Sequence, residues 1–167
     1  MTEPVMRIGH GFDVHRFAEQ AEADAQVMLG GVAIPHSHRL LAHSDGDVLL
    51  HAFCDALLGA LALGDIGSHF SDQDPRYRGI SSLVLLAEVL RLVKERGWML
   101  GNADLTLVAQ APRLSTWREA IWENIARACD CPQDRISVKA TTTEGLGYTG
   151  RREGIACHAV VLLVRCG

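Results

Sequence analysis

The sequence lacks the features that mark secreted and membrane-spanning proteins. Residues 1–6 contain no basic region followed by an apolar run, so we expect no signal peptide. The longest apolar stretch, residues 83–93, is interrupted by Glu88 and Arg91 and is too short to cross a bilayer. Internal repeats, low-complexity tracts and linkers rich in proline or serine are absent as well. The sequence therefore predicts a cytoplasmic protein with a single domain over residues 1–167, in which residues 1–5 form a disordered extension.

The five cysteines do not form a disulfide framework. Only Cys129 and Cys131 lie close together, and a lone C-x-C pair lacks the second pair that a zinc knuckle needs. An odd number of cysteines cannot all pair within one chain. We therefore expect reduced thiols, as in cytoplasmic proteins.

A basic stripe of the kind that binds nucleic acid is also missing, because the net charge is −4. A hydrophobic content of 48% with 22% charged residues excludes a disordered chain. What the sequence does have is histidine. Seven of its eight histidines lie between His10 and His69, in the same stretch as several aspartates. Imidazoles and carboxylates gathered in one part of an acidic chain indicate a metal site.

The pattern of apolar residues predicts strands and helices interspersed along the chain. Gly30-Gly31 separates two short apolar runs and is typical of a two-residue hairpin. Such an order favours an α+β fold, an α/β sandwich in which a mixed β-sheet is packed on one side by helices. The predicted strands are residues 7–15, 27–29, 32–34, 104–109, 136–140 and 155–164, and the predicted helices are residues 48–63, 82–96 and 115–129.

Two short patterns could hold a metal ion. Asp13 and His15 are two residues apart on a predicted strand and therefore point to the same face. On the following helix, Asp47, His51 and Asp55 are spaced by four and line one face. One histidine from that face together with Asp13 and His15 would make a three-ligand zinc site with an open fourth position. The alternative is a polar helix face in contact with water.

The start of the same helix could bind phosphate. Ser44 is followed three residues later by Asp47, which resembles a capping box. Free N–H groups at a helix N-terminus favour anions, and His43 beside it could stabilise a phosphate oxygen. The alternative is an ordinary serine cap with an exposed neighbour.

A third cluster follows the predicted strand at residues 136–140. Thr141, Thr142 and Thr143 offer hydroxyls, and Glu144 offers a hard oxygen suited to Mg²⁺. Glycines then permit a close backbone approach, and Arg151 could hold a phosphate. The chain has no P-loop motif. The alternative is a threonine-rich strand that simply ends in a glycine turn.

These pieces, in this order, resemble the 2-C-methyl-D-erythritol 2,4-cyclodiphosphate synthase family. The resemblance extends over residues 6–165, nearly the whole chain, and six separate strings carry it. They are RIGHGFDVH at residues 7–15, LAHSDGD at 41–47, LGDIG at 63–67, AQAP at 109–112, KATTTE at 139–144 and GIAC at 154–157.

The resemblance implies a metal-dependent enzyme that forms a cyclic diphosphate. Its substrate would be 4-diphosphocytidyl-2-C-methyl-D-erythritol 2-phosphate, whose 2-phosphate attacks the β-phosphorus and releases CMP. Asp13, His15 and His51 would be ligands of one Zn²⁺ per subunit, and Glu144 would bind Mg²⁺ or Mn²⁺ together with the substrate. His43 and Thr142 would stabilise the transition state. Asp47 is a candidate hydrogen-bond partner that orients His51.

The resemblance also implies substrate contacts and an oligomer. Family members form homotrimers with active sites between subunits. Residues 109–115 would hold the cytidine, and residues 65–67 and 70–74, contributed by the neighbouring chain, would hold ribose and erythritol hydroxyls. The substrate-binding residues would be Ser44, Asp65, Ile66, Gly67, Phe70, Ser71, Asp72, Gln73, Asp74, Ala109, Gln110, Ala111, Pro112, Arg113, Leu114, Ser115, Thr141, Thr143, Tyr148 and Arg151.

Two other functions remain open at this point. A nucleotide- or isoprenoid-binding module without turnover would need no metal ligands, so the four candidate ligands argue against it. A metal-dependent phosphohydrolase would use the same ligands but would let water attack in place of the 2-phosphate.

Overall fold

The computed structural model of the protein describes residues 5–71 and 73–167. The prediction for residues 1–5 therefore falls outside the described residues except for Val5, which is exposed, and so does the predicted contact at Asp72. The strands are β1 (Met6–Arg16), β2 (Gln26–Leu29), β3 (Val32–Pro35), β4 (Trp98–Val108), β5 (Ile136–Thr141) and β6 (Gly154–Arg165). The helices are α1 (Val48–Ala60), α2 (Ile66–His69), α3 (Ser82–Glu95), α4 (Arg118–Ala128) and α5 (Gly147–Gly150).

The predicted mixed sheet is confirmed. Four strands follow the order β1-β6-β4-β5, and β2 pairs with β3 in a separate hairpin. Strand β6 is antiparallel to both β1 and β4, whereas β4 and β5 run parallel. Helix α1 packs against β1 and β6, α3 packs against α1 and β4, and α4 packs against β5 and β3. The core lies between this helical layer and the sheet.

In the part of the chain that the structure describes, the other face of the sheet carries no helix. Along β1 the buried or half-buried residues alternate with exposed ones, as expected for a sheet covered on one side. The exposed positions are apolar in large part: Ile8 is 73% exposed, and Phe12, Val14 and Val160 are each exposed by more than 40%. Packing of the helices on one side is therefore confirmed, and the opposite side presents an apolar surface. No helix among residues 5–71 and 73–167 is long and apolar enough to cross a membrane.

Some boundaries differ from the predicted ones. Helix α1 ends at Ala60 rather than at residue 63, because Ala62 adopts a left-handed conformation with a φ of 56°. Helix α4 begins at Arg118, since Leu114–Thr116 forms a separate 3-10 turn. The segment at residues 65–79, predicted as a loop, contains α2 and a 3-10 turn at Pro75–Tyr77.

The start of α1 differs from the prediction in a way that affects the site. Asp47, not Ser44, is the N-cap, and its carboxylate accepts the backbone N–H of Leu50 at 3.1 Å. The same carboxylate accepts the N–H groups of Gly30 at 2.9 Å and Gly31 at 2.6 Å, at the tip of the β2–β3 hairpin. Both glycines have positive φ, which this two-residue turn requires. One buried side chain thus ties the hairpin to the first turn of the helix.

Replacing Asp47 with alanine should lower the free energy of unfolding by about 3 kcal/mol. The change removes a helix cap and leaves one buried and one half-buried N–H group of the hairpin without an acceptor. Urea denaturation at neutral pH measures the loss. Asp24→Ala is the matched control, because Asp24 is an exposed aspartate near the same hairpin and its loss should cost less than about 0.5 kcal/mol. Equal stability of the two variants would contradict the anchoring role of Asp47.

Candidate functional site

Three predicted metal ligands meet where β1 crosses α1. Asp13 and His15 project from the same face of β1, and His51 projects from the first turn of α1. The Oδ2 atom of Asp13 lies 2.9 Å from Nδ1 of His15 and 3.1 Å from Nδ1 of His51. One ligand atom from each residue falls within 4.8 Å of the others. The structure thus brings together the triad that the two sequence patterns suggested, which we call the Asp13–His15–His51 cluster.

The cluster forms because β1 approaches α1 unusually closely. Gly9 and Gly11 lie on the same face of β1 as the two strand ligands. A Cβ atom on Gly9 would lie 1.8 Å from the carbonyl oxygen of Ala56, and one on Gly11 would lie 1.9 Å from that of Ala52. Only glycine permits such backbone contact. The contact carries His51 to the strand ligands, 36 and 38 residues away in the sequence.

The electrostatics of the cluster favour a cation. Burial alone would raise the pKa of Asp13, but the neighbouring imidazoles of His15 and His51 outweigh it and lower that pKa to about 2. Burial lowers the pKa of His51, but Asp13, Asp47 and Asp45 together raise it overall. Asp13 is therefore a carboxylate at neutral pH and lies beside the imidazole nitrogens of His15 and His51.

The donor set fits a zinc ion. One carboxylate oxygen and two imidazole nitrogens are common ligands of catalytic zinc, with the fourth position left for substrate. Nδ1 of His15 is buried and faces Oδ2 of Asp13 at 2.9 Å in a poorly aligned contact. A cation bound between the two atoms would satisfy both of them.

Asp47 does not orient His51, contrary to the prediction. Its carboxylate is occupied by the hairpin and by the helix cap, and its link to His51 is the backbone bond within α1. The Nε2 atom of His51 instead lies 2.8 Å from the hydroxyl of Ser82 and 3.1 Å from that of Ser44. The third member of the predicted polar face, Asp55, accepts the backbone N–H of Ile66 at 2.8 Å.

The N-terminus of α1 is not a phosphate site. Val48, Leu49 and Leu50 are fully buried, and the carboxylate of Asp47 blocks the end of the helix. The prediction was wrong because the helix begins four residues after Ser44, so His43 and Ser44 belong to the loop before it. His43 is exposed and Ser44 contacts His51.

A pocket of about 370 Å³ opens above the Asp13–His15–His51 cluster. The predicted residues His43, Ser44, Ile66, Gly67 and Phe70 line it within the same chain. The expectation that residues 65–67 and 70–74 reach this site from a neighbouring chain is therefore wrong for Ile66, Gly67 and Phe70. Because α2 follows α1 closely, these residues stay beside the helix that carries His51.

The remaining residues of this segment lie at its margin. Asp65 caps α2 through the N–H and hydroxyl of Ser68, both at 2.8 Å. Gln73 and Asp74 line an adjoining pocket of about 280 Å³ that shares His43 with the first one. The hydroxyl of Ser71 accepts the N–H of Gln73 at 3.2 Å.

The predicted cytidine loop lines a second, separate pocket of about 610 Å³. Thr141 and Thr142 lie in it beside the loop, as predicted, together with Arg118 and Arg152. The loop residues that line it are Ala109, Gln110, Ala111, Pro112, Arg113, Leu114 and Ser115. Among the described residues, none of these lines the pocket above the metal cluster. The metal cluster and the cytidine loop therefore line different pockets of the chain.

Glu144 lies next to the threonines of the second pocket. Its backbone is left-handed, with a φ of 54°, and its carboxylate accepts the hydroxyl of Thr142 at 3.3 Å. The hydroxyl of Thr143 bonds within the turn to the carbonyl oxygen of Leu146 and to the hydroxyl of Thr149, and its predicted substrate contact stays a prediction. The exposed carboxylate of Glu144, beside the hydroxyl of Thr142, suits a hydrated cation.

Arg151 and Tyr148 are placed differently from Arg152. The guanidinium of Arg151 donates to Glu153 at 2.7 Å, and Tyr148 lines a third pocket of about 780 Å³ beside His15. Arg152, predicted as part of a surface pair, borders both this pocket and the cytidine-loop pocket. Arg152 therefore joins Arg151 as a candidate phosphate contact, and the contact predicted for Arg151 stays a prediction.

The chain matches the sequence model of the YgbB family over residues 6–164. The 2-C-methyl-D-erythritol 2,4-cyclodiphosphate synthases of Azotobacter vinelandii and Alcanivorax borkumensis are each 61% identical to it. Those matches cover 95% of this chain and 99% and 96% of the two relatives.

Solved structures agree with these sequence relatives. The bifunctional IspDF of Campylobacter jejuni superposes with a TM-score of 0.89 at 44% identity over 96% of this chain, which spans 42% of that longer protein. The IspF of Plasmodium falciparum in complex with CDP superposes with a TM-score of 0.85 at 34% identity, covering 99% of this chain and 100% of that one.

Proposed function

The chain belongs to the YgbB family of 2-C-methyl-D-erythritol 2,4-cyclodiphosphate synthases, and we propose that its Asp13–His15–His51 cluster and Glu144 are the metal sites of that reaction. The observation that carries the proposal is the cluster itself. It sits at the floor of a pocket, with ligand types suited to zinc, in a chain 61% identical to a named synthase.

The reaction is an intramolecular phosphoryl transfer in the non-mevalonate route to isoprenoid precursors. An oxygen of the substrate's 2-phosphate bonds to the β-phosphorus, and the bond from that phosphorus to the oxygen bridging to the α-phosphate breaks. CMP leaves with that oxygen, and no water is consumed. The enzyme is thus a phosphorus–oxygen lyase. Because the attacking group is already an anion, the protein needs no strong general base.

The protein's main tasks are to hold charge and to orient the reacting groups. Asp13, His15 and His51 would hold Zn²⁺, which supplies positive charge to a phosphate oxygen when bound. His43, exposed at the rim of the same pocket, is placed to donate a hydrogen bond to a phosphate oxygen. Ile66 and Phe70 give the pocket an apolar wall that suits the carbon chain of the erythritol.

Glu144 would bind Mg²⁺ or Mn²⁺, whose charge offsets that of the diphosphate. Thr142 donates its hydroxyl proton to the carboxylate of Glu144, and once a cation occupies that carboxylate the hydroxyl would be released to donate to the transferred phosphate. The cytidine would occupy the pocket of residues 109–115, since one structural neighbour of this fold is described as a complex with CDP. Arg118 and Arg152 at this pocket would supply positive charge for the nucleotide's phosphates.

A homotrimer would complete the site. The metal pocket and the cytidine-loop pocket are distinct in one chain, with the pocket of about 780 Å³ reaching from His15 to Ala111 between them, and a second copy would bring a further cytidine loop beside the metal pocket. The apolar sheet face with Ile8, Phe12 and Val160 supports such contact, because exposed patches of this kind mark interfaces. We also propose that residues 1–167 form a single domain and that the protein is cytoplasmic, as the sequence predicts.

Product analysis tests the proposed function against its two alternatives. Incubation of the zinc- and magnesium-loaded protein with 4-diphosphocytidyl-2-C-methyl-D-erythritol 2-phosphate should give CMP and the cyclic diphosphate in equal amounts, as resolved by ³¹P NMR. CMP with an uncyclised phosphate ester would identify a phosphohydrolase. Binding of the substrate without CMP release would identify a binding module, and either result would refute the synthase.

A further inference from the structure

Two side chains, one buried and one half-buried, contact the edge of His51 that points away from Asp13. Ser82, the first residue of α3, is fully buried, and its hydroxyl lies 2.8 Å from Nε2 of His51. The same hydroxyl donates to Oδ1 of Asp45 in a short hydrogen bond, and the backbone N–H of Ser82 donates to Oδ2 of Asp45 at 2.9 Å. We call these two residues the Ser82–Asp45 relay. It connects the loop before α1, the start of α3 and a predicted metal ligand.

The protons of this chain of contacts can be assigned from chemistry. A carboxylate accepts hydrogen bonds and has no proton to give, so the single hydroxyl proton of Ser82 belongs to the bond with Asp45. The Ser82 oxygen can then only accept from His51, which places a proton on Nε2. In a neutral imidazole the other nitrogen, Nδ1, must carry the lone pair. That nitrogen is the one that faces Asp13 within the cluster.

Ser44 does not decide the matter. Its hydroxyl lies 3.1 Å from Nε2 of His51 and accepts the N–H of Gly46 at 3.2 Å. No carboxylate fixes its proton, so it can serve as donor or as acceptor. The tautomer of His51 is therefore set by Ser82, whose hydroxyl proton is donated to Asp45.

We propose that the Ser82–Asp45 relay is a positioning device that fixes His51 as an Nδ1 metal ligand. Ligating histidines commonly donate their other N–H to an acceptor that sets the tautomer and the ring orientation. Here the acceptor is a hydroxyl locked by a carboxylate. Neither Ser82 nor Asp45 is a metal ligand, and Ser82 comes from a helix 31 residues away. This inference rests on the metal site of the proposed function.

Zinc affinity of the metal-free protein, measured by competition with a chromophoric chelator, tests the relay. Ser82→Ala should weaken zinc binding by about 10- to 100-fold. Ser81→Ala is the matched control, because Ser81 is the exposed N-cap of the same helix and its side chain makes no capping bond. Its zinc affinity should equal that of the wild type. Asp45→Asn should weaken zinc binding as Ser82→Ala does, because its amide can donate to Ser82 and so turn the hydroxyl proton toward Nε2.

Two further readouts separate positioning from stability. Zinc stabilises the folded protein by RT ln(1 + [Zn²⁺]/Kd), so weaker binding reduces the rise in melting temperature at a given zinc concentration. A purely structural defect lowers the melting temperature of the metal-free and zinc-loaded proteins alike. In the zinc-loaded wild type, the Nε2–H of His51 should be visible by ¹⁵N NMR and exchange slowly with water, whereas in Ser82→Ala it should exchange fast.

The outcomes are distinct. Equal zinc affinity of Ser82→Ala and the wild type would overturn the relay and leave the proposed metal site intact. Equal weakening by Ser81→Ala and Ser82→Ala would trace the effect to the start of α3 and would also overturn it. Absence of zinc binding by the wild type itself would refute both the metal site and the relay.

Discussion

His51→Ala is expected to remove the zinc and to lower the rate of CMP release by about a thousandfold or more. The residue supplies one of three ligands in the cluster, and the two that remain lie next to each other on β1. Positive charge at a reacting phosphate is worth several kcal/mol in a metal enzyme, and about 4 kcal/mol corresponds to roughly a thousandfold in rate. Zinc content by elemental analysis and steady-state CMP release measure the two effects.

A control histidine separates ligation from general loss of an imidazole. His38 bonds to Ser37 in the loop after β3 and belongs to no metal cluster among residues 5–71 and 73–167, so His38→Ala should keep full zinc content. Circular dichroism verifies that His51→Ala is folded, and His51→Gln offers a less disruptive second variant. If either folded variant cyclises the substrate at the wild-type rate, the zinc assignment is wrong.

Glu144→Gln is expected to slow CMP release by about a hundredfold while zinc content stays at one ion per chain. The amide keeps the shape of the side chain but loses the charge that a hard dication requires. Loss of one charge-stabilising group at a reacting phosphate commonly costs 10²–10³ in rate. Because Glu144 lies outside the Asp13–His15–His51 cluster, the zinc ligands are untouched. Titration of CMP release with Mg²⁺ should show a higher half-saturating concentration.

Glu119→Gln serves as the matched control. Glu119 is an exposed acid in the first turn of α4, so its loss changes the net charge by the same amount at a different place. Its CMP release should keep the Mg²⁺ dependence of the wild type. Loss of zinc from Glu144→Gln would instead show that the two metal sites had been confused.

The metal cluster could be predicted because its parts obey local periodicities. Asp13 and His15 share a strand face by the two-residue repeat, and His51 lies on a helix whose apolar spacing is clear. What the sequence does not contain is the distance between the two elements. Gly9 and Gly11 are the signal for that distance, but a glycine in a strand indicates close approach without naming its partner.

The relay and the true cap of α1 were missed for a different reason. Asp47 and Ser44 both fit an N-cap pattern, and only the position of the hairpin tip decides which one faces the helix. Ser82 looks like an ordinary residue at a helix start. Its contact with His51 depends on how α3 packs against α1, which no local pattern records.

Of the residues that line the cytidine-loop pocket, some follow from the order of the strands and others depend on the conformation of a turn. The loop at residues 109–115 and the threonines at 141 and 142 are adjacent because β4 and β5 run parallel and end at the same edge. That neighbourhood follows from topology. The choice between Arg151 and Arg152 depends on the turn after α5, where Arg152 has a left-handed backbone with a φ of 60°.

The glycine contact between β1 and α1 fixes the spacing of the two elements that carry the predicted metal ligands. Strand and helix touch main chain to main chain at Gly9 and Gly11, so they can neither move closer nor separate without opening the core. The distance between the backbones of the strand ligands and of His51 is thus fixed independently of the side-chain rotamers. At the proposed metal site, ions of different radius would therefore be accommodated by side-chain torsions and not by movement of the strand against the helix.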